Sequence, residues 1–237
     1  MKDEKKDYDA PIEGDRSFVN LYSLAWPVSS LGPGYRVVLW VAGCRKRCPG
    51  CISPEMQDPS SGRLVPVDVL ARRLLRLDEG LAGVTISGGE PFDQTEGLAD
   101  LLERVRAQRP RWNVMIYSGY VLSTLRRKSS AHRLIEMADV VIDGPYRREV
   151  PQSHPLAGSG NQRMHLISTR GRAMGPELEA CRPGPVNFGL GPGLVNMVIG
   201  VPRSGGTECL RGQKKGHKGR KGPKGPKGLE DFFFNND

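Results

Sequence analysis

The sequence predicts an α/β protein built on a parallel sheet with helices outside it, either doubly wound or barrel-like, and three observations carry that expectation. Short apolar, β-branched runs alternate with segments of helical period. The runs end in polar, glycine-bearing turns, at the strand ends where both architectures gather their ligands. Near Pro202 the composition breaks, and a tail of lysine, glycine and proline follows.

Residues 1–16 are charged and poor in apolar groups, so a flexible arm is expected there. Phe18 to Ala25 alternates loosely and reads as an edge strand. Arg36 to Ala42 is a continuous apolar run of the kind that is buried on both faces. Pro66 to Leu77 places Leu70, Leu74 and Leu77 on one face behind a proline suited to a first turn, which predicts a helix. Val84 to Ser87 reads as strand. Thr95 to Gln108 reads as helix, with Leu98, Leu101, Leu102 and Val105 on one face and Pro110 as its stop. Strand is expected again at Asn113 to Tyr117, helix within Leu122 to Ala138, and short strands at Val140 to Ile142 and Met164 to Ser168. Val186 to Leu190 and Val195 to Ile199 flank Gly191-Pro192-Gly193 and predict a hairpin. The chain therefore divides into an arm (1–16), a folded domain (17–202) and a low-complexity tail (203–237).

Net charge is +9, yet eight positive residues and no acid fall within residues 211–228. The body is nearly neutral, and nucleic acid is not expected as its main partner. The tail is expected to be disordered: Gly216, Gly219, Gly222, Gly225 and Gly228 fall every third residue, but far too few triplets are present for a collagen helix. Its lysines are able to bind acidic protein or nucleic acid weakly, by charge alone. Phe232-Phe233-Phe234 after it has the look of a docking peptide, or of chance composition. The N-terminal residues lack the apolar core of a secretory signal, and no apolar run reaches the ~20 residues that span a bilayer. A cytoplasmic, reducing location is expected.

Cys44, Cys48 and Cys51 form a C-x3-C-x2-C clip directly after the Arg36 to Ala42 run. That spacing supplies three thiolates to a [4Fe-4S] cluster and leaves one iron without a protein ligand, free to take a cofactor. The reading it suggests is reductive cleavage of S-adenosylmethionine. A structural zinc site needs four ligands, and none of His132, His154, His165 and His217 lies near the clip. A disulfide framework would need an oxidising compartment and fits poorly with five cysteines, an odd number. Cys181 and Cys209 read as free thiols. One strand–helix unit on, Ser87-Gly88-Gly89-Glu90-Pro91 offers backbone that can approach a ligand closely and a carboxylate able to attract an ammonium group.

With Gly43-Cys44, Cys48-Pro49-Gly50-Cys51, Ile86 to Phe92, Tyr117-Ser118-Gly119-Tyr120, Asp143-Gly144-Pro145-Tyr146 and Gly158 to Arg163, the chain from about residue 18 to 202 resembles the radical S-adenosylmethionine superfamily. Within it, the chain is most similar to the activating proteins of anaerobic ribonucleotide reductase. The resemblance implies a partial, open (β/α)6-type barrel. It implies Cys44, Cys48 and Cys51 as cluster ligands, and Gly88, Gly89 and Glu90 around the methionine amino group. Backbone near Gly50 and Ile52 would face the adenine. Ser118, Gly119 and Asp143 are assigned to the cofactor by their places at strand ends. The implied reaction takes an electron from a flavodoxin-like donor, forms a 5′-deoxyadenosyl radical, and abstracts hydrogen from a backbone glycine of a large glycyl-radical enzyme. Two other readings stay open: a radical maturase acting on a peptide or small molecule, and a non-catalytic iron–sulfur or zinc module. Asn161, Gln162 and Arg163 either pin a loop or touch cofactor or partner, and His165 reads as a packed strand residue. Arg45, Lys46 and Arg47 could offset cluster charge, meet an acidic electron donor, or simply be solvated.

Overall fold

The computed structural model describes residues 17–182, 187–190 and 196–199. Seven strands form one sheet: β1 (Phe18–Val28), β2 (Arg36–Val41), β3 (Arg63–Pro66), β4 (Gly83–Gly88), β5 (Asn113–Tyr117), β6 (Val140–Asp143) and β7 (Arg163–Leu166), in the order β3-β1-β2-β4-β5-β6-β7. The four central strands β2, β4, β5 and β6 run parallel. Against the expectation of an all-parallel sheet, β1, β3 and β7 join antiparallel, so the sheet is mixed. The links explain this: seven residues between β1 and β2 cannot carry a crossover, so the chain folds straight back. β1 is also not an edge, because β3 pairs along its outer side. Sequence patterning missed β3, a four-residue strand with only Val65 buried.

Strand β2 is buried at all six positions, as its continuous apolar run requires. Val37, Leu39 and Val41 face a layer made of α1 (Val67–Leu75), α2 (Thr95–Gln108) and α4 (Ser129–Met137), where Leu70, Leu74, Leu98, Leu101, Leu102 and Leu134 pack against β4 and β5. Val38 and Trp40 point to the opposite face. That face is covered by loops and by α5 (Thr169–Ala173) and α6 (Gly175–Ala180). Arg36 shares it and is fully buried, its guanidinium donating to Thr85 Oγ1 at 2.7 Å and to the carbonyls of Val84 at 2.8 Å and Asn113 at 3.3 Å. Loss of solvent pulls it down to about 10.

Helix α2 matches its expected span. Helix α1 starts one residue late, with Pro66 in extended backbone at the cap and outside the first turn. The expected helix within Leu122 to Ala138 is two, α3 (Leu122–Leu125) and α4. A separate antiparallel pair, β8 (Asn187–Leu190) and β9 (Asn196–Ile199), forms the two arms of the expected hairpin, while its Gly191-Pro192-Gly193 turn, the N-terminal arm and the tail lie outside the described residues. No helix among the described residues is long and apolar enough to cross a membrane.

Candidate functional site

The clip begins where β2 ends. Gly43 turns with φ +96°, its amide donates to the Met56 carbonyl at 2.9 Å, and the Cys44 amide donates to the Gln57 carbonyl at 3.0 Å. These two bonds close residues 43–57 into a loop. Within it Arg47 and Gly50 take positive φ, and the Cys51 amide donates to the Cys48 carbonyl at 3.2 Å. Cys44, Cys48 and Cys51 are half-buried free thiols. Among the described residues no three Cys, His, Asp or Glu side chains converge as a single metal ion demands. Zinc needs such convergence. A cuboidal cluster takes each thiolate on a different iron, so an all-cysteine clip spread along one loop fits it in donor chemistry. Burial pushes the Cys44 thiol up, while the backbone amides of Arg47 and Lys46 donate to its sulfur and pull it back. Amides aimed at sulfur suit a thiolate ligand.

The end of β4 packs directly on this loop. A Cβ at Gly88, which has φ +102°, would lie 2.6 Å from the Val41 carbonyl oxygen, and one at Gly89 would lie 2.3 Å from that of Gly43. The glycine pair is therefore required by close approach, Gly88 to the end of β2 and Gly89 to the clip loop. The Gly89 amide donates to Val41 O at 2.7 Å and the Glu90 amide to Gly43 O at 2.9 Å. Glu90 is fully buried. Its Oε1 accepts from the Phe92 amide at 3.0 Å and Ser118 Oγ at 2.9 Å, and its Oε2 accepts from the Gly119 amide at 2.7 Å. Burial drives its carboxyl up to about 7, against the pull of those three donors. Glu90, Ser118 and Gly119 thus form one bridge between the ends of β4 and β5.

Asp143, at the end of β6, is buried and turned toward the helical layer. Its Oδ2 accepts from the Leu122 amide at 2.5 Å, fixing the start of α3, and its Oδ1 lies 3.1 Å from His165 Nε2 without hydrogen-bond alignment. Gly50 lies against the Arg148 side chain, and Ile52 against Gly158. Asn161 Nδ2 donates to the Pro145 carbonyl at 2.8 Å and Gln162 Nε2 to that of Gly144 at 2.9 Å. Both side chains pin the turn after β6.

Residues 30–165 match the family model described as a 4Fe-4S single cluster domain. Similar proteins include the anaerobic ribonucleoside-triphosphate reductase-activating proteins of Haemophilus influenzae, 32% identical over 56% of this chain and 89% of the relative, and of Enterobacteria phage T4, 29% identical over 56% and 85%. That of Escherichia coli K12 is 27% identical over 62% of this chain and 98% of its own length. The chain belongs to this 4Fe-4S activating-protein family.

As a member of that family the protein is a radical S-adenosylmethionine enzyme, and its cofactors are a [4Fe-4S] cluster and S-adenosylmethionine. Two residues beside the activating protein's clip, Asp93 and Gln94, escape sequence reasoning, and a third, Tyr120, enters it only as part of a motif. Asp93 accepts from the Arg45 amide at 3.0 Å and from Tyr120 Oη at 3.0 Å, tying clip, β4 turn and β5 turn together. Tyr120 lies under Lys46 and Lys128, each ammonium within 5 Å of the ring centroid (4.8 and 4.4 Å), and burial together with Asp93 pushes its phenol up to about 12. Gln94 donates to the Ala42 carbonyl at 2.8 Å and accepts from the Asn20 amide at 2.7 Å. Tyr120 stands in the Tyr117-Ser118-Gly119-Tyr120 motif with no role given to it, and nothing local marks Asp93 or Gln94.

Proposed function

We propose that this enzyme installs the glycyl radical of an anaerobic ribonucleotide reductase, with Cys44, Cys48 and Cys51 holding the cluster and the backbone of Gly88 and Gly89 beside Glu90 receiving the methionine end of the cofactor. The observation that carries this is the direct seating of the β4 turn on the clip: Glu90 N bonds Gly43 O at 2.9 Å, so whatever the cysteines hold is next to the turn. Bound there, cluster and cofactor supply a one-electron cleavage of the sulfonium that ends in hydrogen abstraction from a backbone glycine of the partner. The chain's own part is to hold and orient. Glu90 fixes Ser118 and Gly119 against the β4 turn, Asp143 fixes α3, and Gln162 fixes the turn after β6, leaving a rigid rim of strand ends.

In this reading Gly50 and Ile52 face the adenine, residues 17–202 are the catalytic domain with its four parallel strands curved as part of an open barrel, the electron comes from a flavodoxin-like donor, and the enzyme works in the cytoplasm. The test is anaerobic reconstitution, reduction and addition of S-adenosylmethionine. The wild type should release 5′-deoxyadenosine and methionine and, with the reductase present, give a glycyl-radical signal by electron paramagnetic resonance. Alanine at Cys44, Cys48 or Cys51 should abolish iron loading and turnover together. A chain that retains its cluster and cleaves no S-adenosylmethionine would overturn the proposal.

A further inference from the structure

A cavity of about 620 Å³ opens beside the clip, toward the β3 edge of the sheet, and Cys44 forms part of its wall. Its rim has two characters. Strand β1 pairs with β3 so that Asn20 lies opposite Leu64, which puts Phe18 and Leu64 on the same face; they are 44% and 67% exposed. Edge strands are ordinarily protected by charge, and a large exposed leucine beside an exposed phenylalanine at a cavity mouth marks a contact surface. Arg45 and Arg47 stand at the same mouth, both exposed, and no salt bridge holds either guanidinium among the described residues. Of the acids of the wall, Asp93 accepts from Arg45 N and Tyr120 Oη, and Glu96 shares Arg133, at 2.8 Å, with Asp100 and Glu103. Asp58 feels the charge of Arg47, but its carboxylate accepts from the Ser60 amide at 2.8 Å. The mouth thus combines an exposed apolar pair with two exposed arginines, and Cys44 stands in its wall.

We infer that this cavity is the docking site of a small acidic one-electron carrier protein, whose apolar redox edge meets Phe18 and Leu64 while its carboxylates meet Arg45 and Arg47. The inference rests on the proposed function and adds the place where the electron enters. Electron transfer falls steeply with distance, and a carrier seated here touches a cluster ligand. The step is one electron: the reduced carrier is oxidised, the cluster gains the electron it gives up, and no bond is made or broken. None of Ser118, Gly119, Asp143 and Ile52 lines the cavity, so the carrier approaches the clip from a different side than the strand-end turns proposed to meet cofactor and glycine. Opposite charges around an apolar contact set encounter rate and its dependence on salt.

The experiment uses reconstituted full-length protein mixed anaerobically with flavodoxin hydroquinone, with cluster reduction followed by the loss of visible absorbance. Photoreduced deazaflavin serves as the small-molecule reductant. The double variant R45E/R47E should be reduced by flavodoxin about tenfold more slowly than wild type at low salt, with the difference shrinking as salt is added. L64D, which changes no residue of the clip, should also slow flavodoxin. Iron content and reduction by deazaflavin should be unchanged in L64D, which lies on β3 outside the clip. Equal flavodoxin rates in wild type and variants would overturn the inference. So would a matching loss with deazaflavin, which would assign the arginines to the clip itself, or a change in sedimentation alone, which would assign the surface to a second copy of the chain. Failure of deazaflavin-reduced wild type to cleave S-adenosylmethionine would defeat the functional reading first and this inference with it.

Discussion

Burial raises the Glu90 carboxyl from an ordinary 4.5 to about 7, while three donors keep it from rising further. The sign of the resulting pH dependence follows from linkage. Between pH 4.5 and 7 the folded protein holds a proton that the unfolded chain has released, so this group favours folding most below pH 4.5 and its contribution is lost as pH rises through about 7. With ~1.4 kcal/mol for every tenfold change in proton affinity, the contribution amounts to about 3 kcal/mol. Melting wild type and Glu90→Gln between pH 5 and 8 isolates it, since other titrating groups cancel in the difference. Wild type should lose stability relative to the variant as pH rises, and a difference flat with pH would show a carboxyl that titrates in its ordinary range. The same residue marks the limit of sequence reading. Its candidacy came from a local motif, but the bridge to Ser118 and Gly119 joins positions 28 and 29 residues apart, which no spacing rule reveals.

The junction of β2, clip and β4 shows how an element can be dictated by its neighbour. Gly89 has open backbone geometry but no room: a Cβ there would meet Gly43 O at 2.3 Å and Met56 O at 2.9 Å, both backbone atoms that cannot rotate away. Gly89→Ala should therefore push the clip off the strand end. An overpacking cost of about 1–3 kcal/mol is expected, carried by the loop while the helical layer stays intact. Circular dichroism should be near wild type while iron per chain after reconstitution falls severalfold; full iron loading would show that the turn yields instead. Elements with long period were legible: Leu98, Leu101, Leu102 and Val105 fixed α2 to the residue. Strand β3 and helices α5 and α6, four to six residues each, were not, because so short a segment carries less than two turns or one buried position. The antiparallel β1 and β7 were missed as such because alternation marks a strand and says nothing of its direction.

On the scale of the whole molecule, charge and chemistry are separated along the chain. Every residue of the candidate site and of the cavity beside it lies between residues 18 and 165, whereas eight of the nine net positive charges lie in residues 211–228. If the enzyme acts on a large folded partner, capture by the tail adds encounter rate through charge but no part of the catalytic rim. If it is instead a maturase of a peptide, the tail is a natural recruiting arm, and turnover on that substrate needs it. Removal of residues 203–237 separates the two. Cleavage of S-adenosylmethionine in the absence of any partner should match the full chain, since the clip, the Glu90 bridge and the cavity beside Cys44 are untouched. Radical transfer to the reductase should persist, slowed at low salt and converging on the full-chain rate at high salt, where the lysines are screened in both. Loss of partner-free cleavage would place the tail inside the catalytic domain. Loss of radical transfer at every salt concentration, with cleavage intact, would make the tail the substrate-binding element and favour the maturase.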